Sequence, residues 1–250
     1  MFNRIIVAVV GSSNSGKTTA VEALIKGLSK RGYTVASSKH IPEPKFTIDT
    51  EGKDTWRHIK AGASTVLSVA PNELTVIKKV DTTKYSLEQI VAETPDEVDI
   101  IILEGFKGLI GQNASVPKLV TAKTVNEITA ALERYKNILA FVTTIPDGKV
   151  ETEIPFIDAL KEPEKLVDLV NNKVAVLVER KRKREEKITI QIDEKFLPLG
   201  DFVQDIVRNA VLAMVSSLKG VDSKRTRNLE TRVKIAITTD KQGKTEKTDN

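Results

Sequence analysis

The chain contains no cysteine and only two histidines, His40 and His58, among its 250 residues. Disulfides, thiolate metal sites, iron–sulfur ligation and cysteine nucleophiles are therefore excluded, and a His-rich metal site has too few ligands. Aromatic residues make up only 4%, so the core must be built from Val, Ile, Leu and Ala. No apolar run approaches the ~20 residues of a membrane span. Met1–Val10 is too short for a signal peptide and lacks its cleavage pattern. These absences predict a cytoplasmic protein with no membrane partner.

The remaining composition is that of a globular chain, 40% apolar and 29% charged. The net charge of +5 is unevenly placed. Residues 1–170 carry 21 basic and 22 acidic side chains, whereas residues 171–250 carry 18 and 12. The basic excess belongs to the last third, which marks a composition boundary.

Arg4–Val10 is a continuous apolar run that ends at a Gly/Ser-rich turn. Such a run reads as a strand buried on both faces of a parallel sheet. The period then becomes helical from Lys17 to Lys30, and Thr34–Ser38 forms a second short strand. Helices are expected at Thr55–Lys60, Leu87–Glu93, Val125–Tyr135 and Ile157–Val170. Strands are expected at Thr65–Val69, Glu73–Lys78, Val98–Leu103 and Ile138–Val142. This alternation predicts an α/β fold with a mostly parallel sheet and helices on both faces, and Gly11-Ser12-Ser13-Asn14-Ser15-Gly16-Lys17-Thr18 between the first strand and helix makes it one of the P-loop NTPase type. It spans residues 1–172. A charged segment at 173–187 reads as a solvated linker or exposed helix. Alternating isoleucines from Ile188, an amphipathic stretch from Phe202 to Leu218, and alternation again from Val233 to Ile237 predict a small α+β unit at 188–238. Residues 239–250 have no apolar side chain and read as a disordered tail.

Gly11-Ser12-Ser13-Asn14-Ser15-Gly16-Lys17-Thr18 fits the phosphate-loop pattern G-x-x-x-x-G-K-[ST]. The two glycines permit turns that a Cβ would hinder. Backbone N–H groups from Gly11 through Thr19 can then converge on phosphate oxygens at a helix N-terminus. Lys17 supplies a mobile positive charge for the β- and γ-phosphates, and the Thr18 hydroxyl suits Mg2+. A strand directly before and a helix directly after are what the mechanism requires. A second carboxylate on the metal side must come from another strand end. Glu104 closes the Asp99–Leu103 strand at its carboxyl edge, while Asp99 lies at the opposite edge. Glu104 reads as a contact to Mg2+ or to its water shell, with a loop-bonding or capping carboxylate as the alternative.

The loop at Gly11–Thr19, Ser38-Lys39-His40, Gly52-Lys53-Asp54-Thr55-Trp56-Arg57 leading to Ala61-Gly62-Ala63, and Leu103-Glu104-Gly105-Phe106-Lys107 followed by Pro117-Lys118 occur in that order. Together they resemble the molybdopterin-guanine dinucleotide biosynthesis protein B (MobB) family over residues 3–170. The resemblance implies a GTP-binding accessory protein with Mg2+ as cofactor, weak GTP hydrolysis and a homodimer. It also implies a partner of the MobA type, the guanylyltransferase that joins GMP to molybdopterin, with molybdopterin itself as a further ligand. Under that resemblance Lys17, Glu104 and Asp54 form the catalytic set, Asp54 as a second-sphere or water-positioning group. Gly11, Ser13, Asn14, Ser15, Gly16, Lys17, Thr18 and Thr19 hold the nucleotide, and Lys39 and Arg57 meet phosphate or the acidic pterin. Thr18 and Glu104 hold the metal. Ile41-Pro42-Glu43-Pro44 departs from the family pattern, in which more histidine or aspartate follows Lys-His.

No Asn-Lys-x-Asp guanine motif is present. Asp147, in the turn after the Ile138–Val142 strand, is the candidate reader of guanine, with an ordinary turn residue as the alternative. Trp56, His40 and His58 read as packing or hydrogen-bonding residues. A small-molecule kinase or ATP-dependent ligase on the same sheet is the rival class. The basic run at 180–187 is interleaved with glutamates and has few aromatics near it, which argues against nucleic acid.

Overall fold

In a computed structural model of the chain, residues 4–146, 148–185, 190–192, 195–197 and 199–218 are described. The chain divides into two units, with the boundary between Arg182 and Lys183. The first contains β1 (Ile5–Gly11), α1 (Lys17–Lys30), β2 (Val35–Lys39), α2 (Asp54–Lys60), β3 (Thr65–Ala70), β4 (Glu73–Lys78) and α3 (Leu87–Ala92). It continues with β5 (Ile100–Glu104), α4 (Lys107–Ile110), β6 (Lys118–Thr121), α5 (Val125–Arg134), β7 (Ile138–Val142), β8 (Phe156–Ile157) and α6 (Pro163–Glu185).

Six strands form one sheet in the order β2-β5-β1-β6-β7-β8, with every pairing parallel. The apolar runs of β1 and β5 occupy its centre because both their faces are covered. Alternate residues feed two cores. Ile6, Ala8, Val10, Ile101 and Leu103 pack with Leu87 and Val91 of α3 and Ile128 and Ala131 of α5. Val7, Val9, Ile100 and Ile102 pack with Ala20, Leu24 and Leu28 of α1 and Leu166, Val167, Val170, Val174 and Val178 of α6. Gly27 lets α1 approach α6: a Cβ there would fall inside the Val167 side chain. The α/β fold and its parallel sheet are as the alternation implies.

Register decides what meets at the carboxyl edge. Val9 and Lys39 both pair with Glu104, and Gly11 pairs with Thr121. Four strand ends from distant parts of the chain thus converge on one line.

Outside this sheet, β3 and β4 form an antiparallel hairpin. Leu67 opposes Val76 and Val69 opposes Leu74, and all four are exposed. Val66, on the other face, is buried.

Three local differences from the sequence reading have physical causes. Ile157 ends a short strand, and the helix expected from there begins only at Pro163, whose fixed φ and missing N–H suit a first turn. Lys118–Thr121 forms β6, too short for a periodic signal. Lys118 is fully buried. Its ammonium donates to the carbonyls of Asn113, Val116 and Lys136 at 2.7–2.8 Å, so all three protons are matched. Burial pulls its pKa down to about 8.

The third concerns the 173–187 segment, read above as a solvated linker or exposed helix. Helix α6 runs unbroken through Glu185, and the boundary falls after Arg182 rather than at 172. Val174 and Val178 are core residues, each 1% exposed. Lys181 donates to the carbonyls of Asp96 and Val98 at 3.1 and 2.5 Å. Arg182 holds both carboxylate oxygens of Asp99, at 3.0 and 2.6 Å, and the carbonyl of Gly32. Lys181 and Arg182 therefore reach back to the amino edge of β5.

In the second unit β9 (Ile190–Ile192) and β10 (Lys195–Leu197) pair antiparallel, and α7 (Asp201–Ser216) follows. Phe202, Ile206 and Met214 of α7 are exposed. The expected strand at Val233–Ile237 and the tail at 239–250 lie outside the described residues.

Burial pushes the Asp99 carboxyl up, but the Arg182 hydrogen bonds and the Thr34 N–H outweigh it and hold the group below the usual carboxylate range. This stabilisation is present at neutral pH and is lost as pH falls through the folded pKa. Arg182→Ala should cost about 2 kcal/mol at about pH 7, less than a fully buried pair because the guanidinium is half exposed. In urea unfolding, the gap from wild type should narrow at about pH 3; an unchanged gap would contradict the ion-pair account. A chain ending at 185 should also be more stable than one ending at 172.

Candidate functional site

The phosphate loop leaves β1 at Gly11 and enters α1 at Gly16. Gly11 has no room for a side chain, since a Cβ would overlap the side chain and carbonyl of Thr121. Gly16 has φ of 89°, a conformation that costs other L-residues strain. Asn14, at φ 55°, is the loop's left-handed non-glycine residue. Ser15 Oγ lies 2.8 Å from the Ser12 carbonyl and 2.6 Å from Thr121 Oγ1, which in turn donates to the Val10 carbonyl. The loop is therefore tied to β6 before any ligand arrives.

Helix α1 has no side-chain cap and no acidic residue in its first turn. Its first N–H groups and positive helix end remain available to an outside anion. Thr19 sits half-buried in that turn.

Positive charge gathers around this end. Lys17 Nζ donates to the Ser12 carbonyl at 2.5 Å, and Lys123 Nζ to the Ser13 carbonyl at 3.1 Å. Burial lowers the pKa of Lys17, and the charges of Lys107, Lys39 and Lys123 lower it further; Glu104 opposes them. Burial and Arg134 likewise lower Lys107. Glu127 accepts from the Lys123 N–H at 2.6 Å, and that bond, with the Lys123 charge and the Thr124 N–H beside it, holds its carboxyl low.

Glu104 is 8% exposed. Its Oε1 accepts from Thr18 Oγ1 at 3.3 Å and lies 3.2 Å from Lys39 Nζ. A hydroxyl and a carboxylate are hard oxygen donors, the type that suits Mg2+ completed by phosphate and water. Among the described residues no group of three or more His, Asp or Glu forms a closed metal site. A divalent cation here would depend on its ligand for the remaining oxygens.

Of the expected residues, Gly11, Ser13, Asn14, Ser15, Gly16, Lys17 and Thr18 form the loop, and Lys39 and Glu104 meet beside it. Asp54 and Arg57 lie on α2 and pair with each other at 3.8 Å, both exposed. Among the described residues no hydrogen bond or ion pair joins either to the loop. Asp147 lies outside the described residues. His40 packs on the Phe106 ring at 5.3 Å, and Trp56 lies under Lys60.

Sequence reasoning missed Lys107, Lys123 and Thr121. Lys107 stands in the Glu-Gly-Phe-Lys segment and had that much local signal. Lys123 and Thr121 are brought in by the β1–β6 register alone.

The family profile described as molybdopterin guanine dinucleotide synthesis protein B matches residues 6–144, more than half of the chain. The chain belongs to the MobB family. A putative molybdopterin-guanine dinucleotide biosynthesis adapter protein of Methanocaldococcus jannaschii is 29% identical, over 90% of this chain and 96% of its own length. The Haemophilus influenzae adapter protein is 31% identical, over 67% of this chain and 88% of its own. The crystal structure of Bacillus subtilis MobB superposes with a TM-score of 0.55 at 26% identity, covering 68% of this chain and 98% of that one. The archaeal match is longer than the first unit, so it must extend into the second. The resemblance to MobB and the fold class both hold, and among the described residues no helix is long and apolar enough to cross a membrane.

A polyanion in this site should raise the depressed pKa of Lys17. Binding of inorganic triphosphate should therefore add a proton uptake at Lys17 on the alkaline side, where the lowered pKa leaves part of the group unprotonated. Calorimetry in buffers of different ionisation enthalpy measures the uptake, and Lys107→Met should reduce it. An uptake unchanged in Lys17→Ala would show that the Lys17 ammonium does not face the anion.

Proposed function

We propose that this MobB-family chain binds Mg·GTP at the phosphate loop and acts as an adapter in the formation of molybdopterin guanine dinucleotide. The observation that carries the reading is the crowding of Lys17, Lys39, Lys107 and Lys123 about a helix N-terminus that has no acidic first turn. Four ammonium groups against the carboxylates of Glu104 and Glu127 leave a surplus of positive charge, and a triphosphate neutralises it.

In this reading the loop amides, Lys17 and Lys107 hold the β- and γ-phosphates. Thr18 and Glu104 hold Mg2+, which when bound supplies charge neutralisation at the phosphates. Asp147 reads guanine, and Arg57 with the exposed face of α2 receives the pterin ligand. Hydrolysis is slow because the carboxylate nearest the phosphates, Glu104, is committed to the metal side, and Asp54 serves as a second-sphere group. The partner is a MobA-type guanylyltransferase, whose acceptance of GMP chemistry fits a nucleotide-presenting adapter.

The chain also forms a homodimer in this reading. The exposed pairs Leu67/Val76 and Val69/Leu74 make one apolar hairpin face, the kind of surface that a second copy covers.

Two measurements test these statements. Lys17→Ala should weaken GTP binding about 100-fold in calorimetry, and wild type should prefer GTP to ATP; a strong preference for ATP would favour a kinase or ligase instead. Val69→Asp, at a position 79% exposed and so harmless to the fold, should halve the mass in light scattering. A dimer that survives the substitution would remove the hairpin face from the account.

A further inference from the structure

Lys39 and Thr18 converge on the same atom, Oε1 of Glu104, at 3.2 and 3.3 Å. That oxygen is also the one a cation bridging Thr18 and Glu104 would take. The position of Lys39 does not depend on a chance side-chain rotamer alone, because β2 and β5 are in parallel register with Lys39 paired to Glu104. Neighbouring side chains at paired positions project to the same face of a sheet. Glu104 is buried, and a buried carboxylate needs a partner charge. Lys39 supplies it, while its own side chain remains 58% exposed and has solvent to move into.

We infer that the Lys39 ammonium is an internal stand-in for the divalent cation, competing with Mg2+ for Glu104 and letting the site bind a nucleoside triphosphate without metal. This inference rests on the nucleotide reading of the phosphate loop. When metal is absent, Lys39 neutralises Glu104 and keeps its negative charge from repelling the γ-phosphate. When Mg2+ arrives it meets the Lys39 charge at the same carboxylate, and the repulsion between the two cations drives the exposed ammonium away. Metal binding therefore carries the cost of breaking an existing ion pair. The advantage that Mg2+ brings to nucleotide affinity is accordingly small in the wild-type protein.

The test is the affinity of a fluorescent, non-hydrolysable GTP analogue, measured in EDTA and in saturating Mg2+, for the full chain and its variants. Lys39→Gln removes the competing charge and leaves Glu104 without its contact ion pair in EDTA. The ratio of the Mg2+ affinity to the EDTA affinity should rise about tenfold over wild type. Lys39→Arg keeps a cation at the position and should keep a ratio near that of wild type, which separates lost charge from a disturbed strand. An unchanged ratio in Lys39→Gln, with binding intact, overturns this inference and leaves the nucleotide reading standing. Equal rises in Lys39→Gln and Lys39→Arg also overturn it, because charge would then not be the cause. Failure of the wild-type chain to bind the analogue in either condition overturns the nucleotide reading itself, and this inference with it.

Discussion

One buried carboxylate organises the working end of this protein. Glu104 sits where the central strand β5 stops, with Lys39 from one neighbouring strand and Thr18 from the helix that follows the other. Its negative charge is the counterweight that allows several lysines to crowd beside α1. Without it, Lys17 would face Lys107, Lys39 and Lys123 with no opposing term, and the loop would hold its cations apart rather than together. The parallel sheet, in this sense, brings strand ends to a common edge where few acids stand against many bases.

That edge is pre-formed. The Ser15–Thr121–Val10 chain of hydrogen bonds and the close approach of Gly11 to Thr121 fix the loop's shape from the β6 side. Lys17 and Lys123 rest on carbonyls of the loop itself. An arriving anion therefore exchanges one set of partners for another at the two ammonium groups and does not have to fold the loop.

The features readable from the amino-acid order were those encoded in a few consecutive residues. The buried strand, the glycine-framed loop and the first helix announce themselves within Arg4–Lys30, and Glu104 follows from the abrupt end of an apolar run. Lys123 and Thr121 escape such reading because only the pairing of β1 with β6 carries them to the site. The basic stretch after Val178 misleads for a related reason. Its composition says solvent, yet Asp99, about eighty positions earlier, takes Arg182 and turns part of that stretch into structure. Asp54 and Arg57 show the converse: a recognisable segment whose side chains find each other and not the loop.

The contact between Gly27 and Val167 ties together two distant positions of this chain. The helix after the glycine-framed loop, α1, and helix α6 touch at a point with no spare volume. A larger residue at 27 is tolerable only if 167 shrinks in step. The two positions are thus free to drift as a pair and not singly, a constraint that links inheritance across some 140 residues of chain.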